Sequence, residues 1–112
     1  LSANHDISIA ERQLAELDFK ENVIVAVREV SDALVTIEKL QEEYSIARER
    51  LIAASRGVRD ASLLFQSGFA NYLEVINAQE DALQSELNLV DLKRQIILAN
   101  IELYRSLGGG WK

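Results

Sequence analysis

The sequence predicts an all-α fold: a long antiparallel two-helix coiled-coil hairpin. Three observations predict it. The 112 residues include no proline and only five glycines, and a chain poor in both has few turns. Ala, Leu, Glu, Gln and Arg fill the intervals, and these are strong helix formers. Apolar or small residues recur in steps of three and four over long stretches, the rhythm of a helix packed along one side.

The elements follow in order. Residues 1–7 read as a lead-in, in which Asn4 or Asp6 could cap a helix. Ser8 with Glu11 has capping-box spacing. A long helix is expected over 8–66. Its seam reads Val27, Val30, Leu34, Ile37, Leu40, Tyr44, Ala47, Leu51, Ala54, Val58, Ala61, Phe65, with one short step near Leu40 where the phase shifts. The rhythm passes Gly57 unchanged, so Gly57 belongs inside the helix at a cost of about 1 kcal/mol against Ala. It either admits a close neighbour or is simply tolerated. A tip turn is expected over 67–71. Gly68 suits the left-handed residue that ends a helix, and Asn71 with Glu74 three residues on is a second N-cap signal. So short a connection makes the helices antiparallel neighbours.

The return helix, 72–107, carries two stripes. One is Leu73, Ile76, Leu83, Leu87, Val90, Ile97, Ile101 and Tyr104, interrupted by Glu80 and Arg94. The other is Leu89, Leu92, Ile96, Ala99 and Leu103, with Leu107 a turn further. A helix in a simple hairpin buries one face, so two stripes ask for a further partner. A Gly-rich C-terminal segment, 108–112, closes the chain.

The two helices differ in length. Residues 8–66 span roughly 88 Å and 71–107 roughly 55 Å at 1.5 Å per residue. Folding back from Gly68 brings Leu107 to about Ser31. Leu14, Leu17, Phe19, Val23 and Ile24 lie before that point and find no partner within the chain. Exposed stripes of this kind mark interaction surfaces, and self-association is the expectation.

Composition narrows the function. The net charge is −6, and nucleic-acid binding rests on an excess of Lys and Arg, so no nucleic-acid partner is expected. Without cysteine there is no disulfide, thiolate metal site or cysteine nucleophile. His5 is the single histidine, near the chain start, where a solvated side chain is the plain reading. No Gly-rich loop follows a strand, so no phosphate cradle is expected. Glu42, Glu43, Glu49 and Asp60 stand among Arg48, Arg50 and Arg59, as on a solvated helical surface with occasional i,i+4 pairs. The expectation is a protein that is not an enzyme and holds no cofactor or metal. No apolar run is long enough to cross a bilayer as a helix. The chain begins at Leu1 and contains no Met, which reads as a piece of a larger protein.

Four strings carry a resemblance: REVSDAL at 28–34, FQSGFANYLEVINAQ at 65–79, SELNLV at 85–90 and LYRSLGGGW at 103–111. In order and spacing they resemble the C-terminal part of TolC-like outer-membrane efflux proteins. LYRSLGGGW is similar to the ending found in the branch serving proton-driven, RND-type pumps. The resemblance implies a homotrimer in the outer membrane, in which each protomer gives strands to a β-barrel and long helices to a periplasmic α-barrel. This chain would be the periplasmic hairpin of the second half, without the membrane strands. The partners implied are a periplasmic adaptor protein and an inner-membrane RND transporter. The function implied is passive export of small molecules or ions.

On that resemblance Ser67, Gly68, Phe69, Ala70 and Asn71 form the periplasmic tip that meets the adaptor. Phe69 either projects there or folds back onto the hairpin end. Glu74 lines the aperture, where a ring of carboxylates favours cations, or serves as part of the helix cap; the two roles are compatible. Asn77 falls where many members carry a second acid and is neutral here, so the resemblance does not carry a double acidic ring over to this chain. Ala70 is basic or polar in some members and forms no ion pair here. Asp32 would make a polar contact between packed helices. Tyr104 and Trp111 would lie toward the equator of the duct. A stand-alone coiled-coil adaptor or scaffold is the alternative; it explains the rhythm but neither LYRSLGGGW nor the second stripe.

Overall fold

The computed structural model describes residues 2–108. It contains two helices, α1 (Ser2–Gln66) and α2 (Tyr72–Gly108). They form a rod of 100 × 18 × 16 Å. Among the described residues there is no strand, and no helix is long and apolar enough to cross a membrane.

α1 starts at Ser2, so residues 2–7 are helical rather than a lead-in. Nothing from Ala3 to Ile7 breaks a helix, and extending a formed helix costs far less than nucleating one. α2 runs to Gly108. Gly109, Gly110 and Trp111 lie outside the described residues.

The seam of α1 differs from expectation at its start. Besides Gly57 and Ser62, the covered residues are Val30, Ala33, Ile37, Leu40, Tyr44, Ala47, Leu51, Ala54, Val58 and Ala61, and the steps of this series alternate three and four without a break. Ala33, not Leu34, faces α2, and the phase shift near Leu40 disappears. Leu34, Val27 and Phe65 are exposed. The larger apolar residue attracted the reading, but the face is set by position, and a small side chain suits two helices in close approach.

On α2 the covered series is Val75, Ala78, Ala82, Ser85, Leu89, Leu92, Ile96, Ala99, Leu103 and Ser106, again with unbroken alternation. This continues the second expected stripe toward the tip through residues too small or polar to announce themselves. Only Ile37, Ala47, Val75 and Leu92 are buried among the described residues, and none of them completely. The other stripe, from Leu73 to Tyr104, faces solvent throughout. Two helices alone cover one side of each.

Ser106 and Leu107 meet Ala26, Val27 and Val30, within a turn of the expected pairing at Ser31. The apolar side chains before that, Leu14, Leu17, Phe19, Val23 and Ile24, are exposed. Gly57 is helical and half-buried. A Cβ built there would meet nothing within 4 Å, so no neighbour in this chain needs the glycine. Asp91 and Arg94 form the one ion pair among the described residues, at 3.3 Å and largely exposed, which fits a solvated surface more than a charge network.

Candidate functional site at the hairpin tip

The turn is closed by backbone chemistry at both helix ends. Gly68 has φ +80°, a left-handed conformation that an L side chain enters only at a cost. The Phe69 N–H donates to the Leu64 carbonyl at 2.9 Å and the Gly68 N–H to the Phe65 carbonyl at 3.1 Å. This pair of bonds is the Schellman motif, which satisfies carbonyls that the end of α1 leaves free. Two residues later Asn71 caps α2: the Glu74 N–H donates to Asn71 Oδ1 at 3.1 Å. The Asn71 half of the cap is therefore present, and no bond from the Asn71 N–H to the Glu74 carboxylate occurs among the described residues.

These bonds fix where the tip side chains go. Phe69 is 83% exposed, so it projects from the end of the hairpin and does not fold back. Ala70 is half-covered, and Ser67, Asn71 and Tyr72 are exposed. Leu73 begins the outer stripe of α2 and is exposed as well. The five expected tip residues thus occupy one end of the rod, with a large apolar ring at its extremity.

Glu74 and Asn77 stand one turn apart on the same side of α2, each one residue before a seam position, Val75 and Ala78. Both are exposed. The stripe they begin continues with Asp81, Gln84, Asn88, Asp91 and Gln95, a polar flank between the inner and outer apolar faces. Gln95 Nε2 donates to Asp91 Oδ2 at 2.7 Å, and Arg94 Nη2 to Asp91 Oδ1 at 3.3 Å. That local network follows i,i+3 and i,i+4 spacing.

Two expectations fall elsewhere. Asp32 is exposed and lines a shallow groove with Ala99 and Ser106, but makes no side-chain hydrogen bond among the described residues, so the polar contact expected between packed helices is not made among them. Tyr104 is 80% exposed at the open end. One contact had gone unread: the rings of Phe65 and Tyr72 meet across the turn, with centroids 5.4 Å apart and planes tilted by 58°. Aromatics on either side of a short turn are its signal, and such pairs add about 0.5–1.5 kcal/mol beyond burial.

The family model for "Outer membrane efflux protein" matches residues 1–109. The chain belongs to the outer membrane efflux protein family. The cation efflux system protein CusC of Escherichia coli O6:H1 is 31% identical over 98% of this chain and 24% of the relative. The outer membrane protein OprJ of Pseudomonas aeruginosa is 29% identical over 97% of this chain and 23% of the relative. The toluene efflux pump outer membrane protein TtgI of Pseudomonas putida is 26% identical over 99% and 24%. The chain therefore spans about a quarter of the length of these curated relatives. No solved structure matches it.

Proposed function

We propose that this hairpin is a periplasmic wall segment of a trimeric outer-membrane efflux duct, and that its tip, Ser67 to Asn71, contacts the periplasmic adaptor of a pump driven by an inner-membrane RND transporter. The observation that carries the reading is the family match over nearly the whole chain, placed on a hairpin whose tip projects Phe69 and whose α2 exposes a second apolar face. A lone hairpin leaves that face wet; a wall of neighbouring hairpins covers it. The stand-alone scaffold does not explain the family match over residues 1–109.

In this reading the chain performs no chemistry and holds no cofactor. Transport is passive, and energy enters through the inner-membrane partner. The relatives named for cations and for toluene favour a wide duct that leaves selection to other parts of the pump. Glu74, already at the start of α2, lines the aperture with Asn77 one turn behind it. Three such carboxylates around a threefold axis attract cations and repel anions.

Single-channel recording of the full-length protein tests the aperture. Glu74→Gln should weaken block by multivalent cations, while unchanged block leaves Glu74 with the cap alone. For the tip, Phe69→Asp and Ala70→Asp should impair adaptor pairing and export while the trimer survives. Wild-type export in both variants removes the tip from the contact.

A further inference from the structure

We infer that the ring pair Phe65–Tyr72 is a clasp that holds the first turn of α2 against the end of α1, and that both residues thereby position Glu74. The inference rests on the reading that Glu74 lines the aperture, and deepens it by naming what keeps the carboxylate in place.

The need for a clasp follows from the bonds at the turn. The N–H groups of Ser67, Gly68 and Phe69 donate to the carbonyls of Leu63, Phe65 and Leu64, all at the end of α1. The Glu74 N–H donates to Asn71, just before α2. Among the described residues no hydrogen bond, backbone or side-chain, joins the end of α1 to α2. Each helix end is closed on itself, and nothing polar ties one to the other. Helix ends and turns open locally at low free energy unless a contact holds them.

The seam does not supply that contact. On α1 the series runs through Val58 and Ala61 and lands next on Phe65. Traced back from Val75, the series on α2 lands on Asn71 and then Gly68. Asn71 serves as the cap and Gly68 takes the left-handed turn, so neither offers an apolar side chain. Phe65 thus reaches the end of the seam without a seam partner. Tyr72, one residue on from Asn71, provides it instead. The two rings lie 5.4 Å apart with planes tilted by 58°, a tilted geometry that aromatic pairs favour. Phe65 stays 41% exposed and Tyr72 56%, so the pair is a modest latch and not a second core.

The placement of the pair suits Glu74. Tyr72 is the first residue of α2 and stands two residues before Glu74, about 200° around the helix at 100° per residue. The clasp therefore grips one flank of α2 and leaves the opposite flank, with Glu74 and Asn77, open. Releasing it frees the same helical turn that carries the carboxylate. A ring of charges acts on a passing ion only while its members are held in place.

Hydrogen exchange of the full-length protein, read by mass spectrometry, tests the clasp, and single-channel recording under block by lanthanum ions tests its role. Tyr72→Ala and Phe65→Ala should each speed exchange from Glu74 to Ala78 by about 2- to 12-fold, the worth of one aromatic pair. Exchange around Ala47 and Leu92 should not change. Tyr72→Phe, which keeps the ring, should exchange at the wild-type rate. The double variant Phe65→Ala/Tyr72→Ala should be no faster than either single one, as for residues acting through each other. In the recordings, Tyr72→Ala should weaken block in the direction of Glu74→Gln and add nothing in a Glu74→Gln background. Wild-type exchange in both single variants, or additive effects in the double, overturns the clasp. Block unchanged by Tyr72→Ala while Glu74→Gln weakens it overturns the positioning role. Glu74→Gln without effect on block sinks the aperture reading alone, and exchange still decides the clasp.

Discussion

The two faces of α2 share one rhythm and differ in everything else. The inner face is rich in small and polar residues: Ala78, Ala82, Ser85, Ala99 and Ser106 interleave with Val75, Leu89, Leu92, Ile96 and Leu103. The outer face offers Leu73, Ile76, Leu83, Leu87, Val90, Ile97, Ile101 and Tyr104, all at least 41% exposed. The more hydrophobic face is the one left in water. Full burial of a Leu or Ile side chain contributes roughly 1.5–3 kcal/mol, so the outer face holds more unspent hydrophobic driving force than the seam that joins the helices. Hydrophobicity alone therefore misidentifies the internal contact, and close approach of small side chains identifies it.

This contrast can be broken or sharpened by substitution. The largest effect should come from the seam: Leu92→Ala should destabilise the hairpin by about 2–5 kcal/mol through a cavity between the helices. The matched outer change, Leu87→Ala, should cost the lone hairpin less than about 1 kcal/mol, since Leu87 is 56% exposed. Urea melts followed by circular dichroism read both, and equal losses would erase the distinction between the faces.

Next comes the turn. Gly68→Ala forces a Cβ into the left-handed region and should cost about 1–2 kcal/mol, although nothing crowds the site. Asn71→Ala removes the acceptor of the Glu74 N–H and should cost about 1 kcal/mol. The thermal midpoints of both variants should fall, Gly68→Ala further.

The smallest effect has the opposite sign. Gly57→Ala should stabilise the hairpin by up to about 1 kcal/mol, because it restores helix propensity and its Cβ meets open space. If the same change stabilises the lone chain yet weakens the assembled full-length trimer, Gly57 makes room for a neighbouring hairpin.

Much of this was legible in the sequence. The absence of proline, the isolated Gly68 and the Asn71–Glu74 spacing gave the two helices and the turn, because caps and left-handed residues are local chemistry. The seam was harder. Leu34 drew the eye from Ala33, and Val75 to Ser85 went unread as the tip-ward half of the inner stripe, because covered small residues give little hydrophobic signal. The start of α1 was misplaced at Ser8, since a capping box offers a helix start without forbidding an earlier one. Phe69's outward direction depends on the Schellman bonds, which sequence signals only as a left-handed glycine. The string around Gly68 was one of four that together gave the family resemblance, while the Phe65–Tyr72 contact across the turn is a product of the fold.

The central claim is that the outer face of α2 is an interior surface of the assembled protein. Thiol labelling of a single-cysteine full-length variant, Leu87→Cys, tests it most directly, with this chain contributing no other cysteine. The account predicts that the thiol is protected in native membranes and reactive in the isolated hairpin at dilutions where it is monomeric. Rapid labelling in native membranes, at the rate of the isolated hairpin, would contradict it.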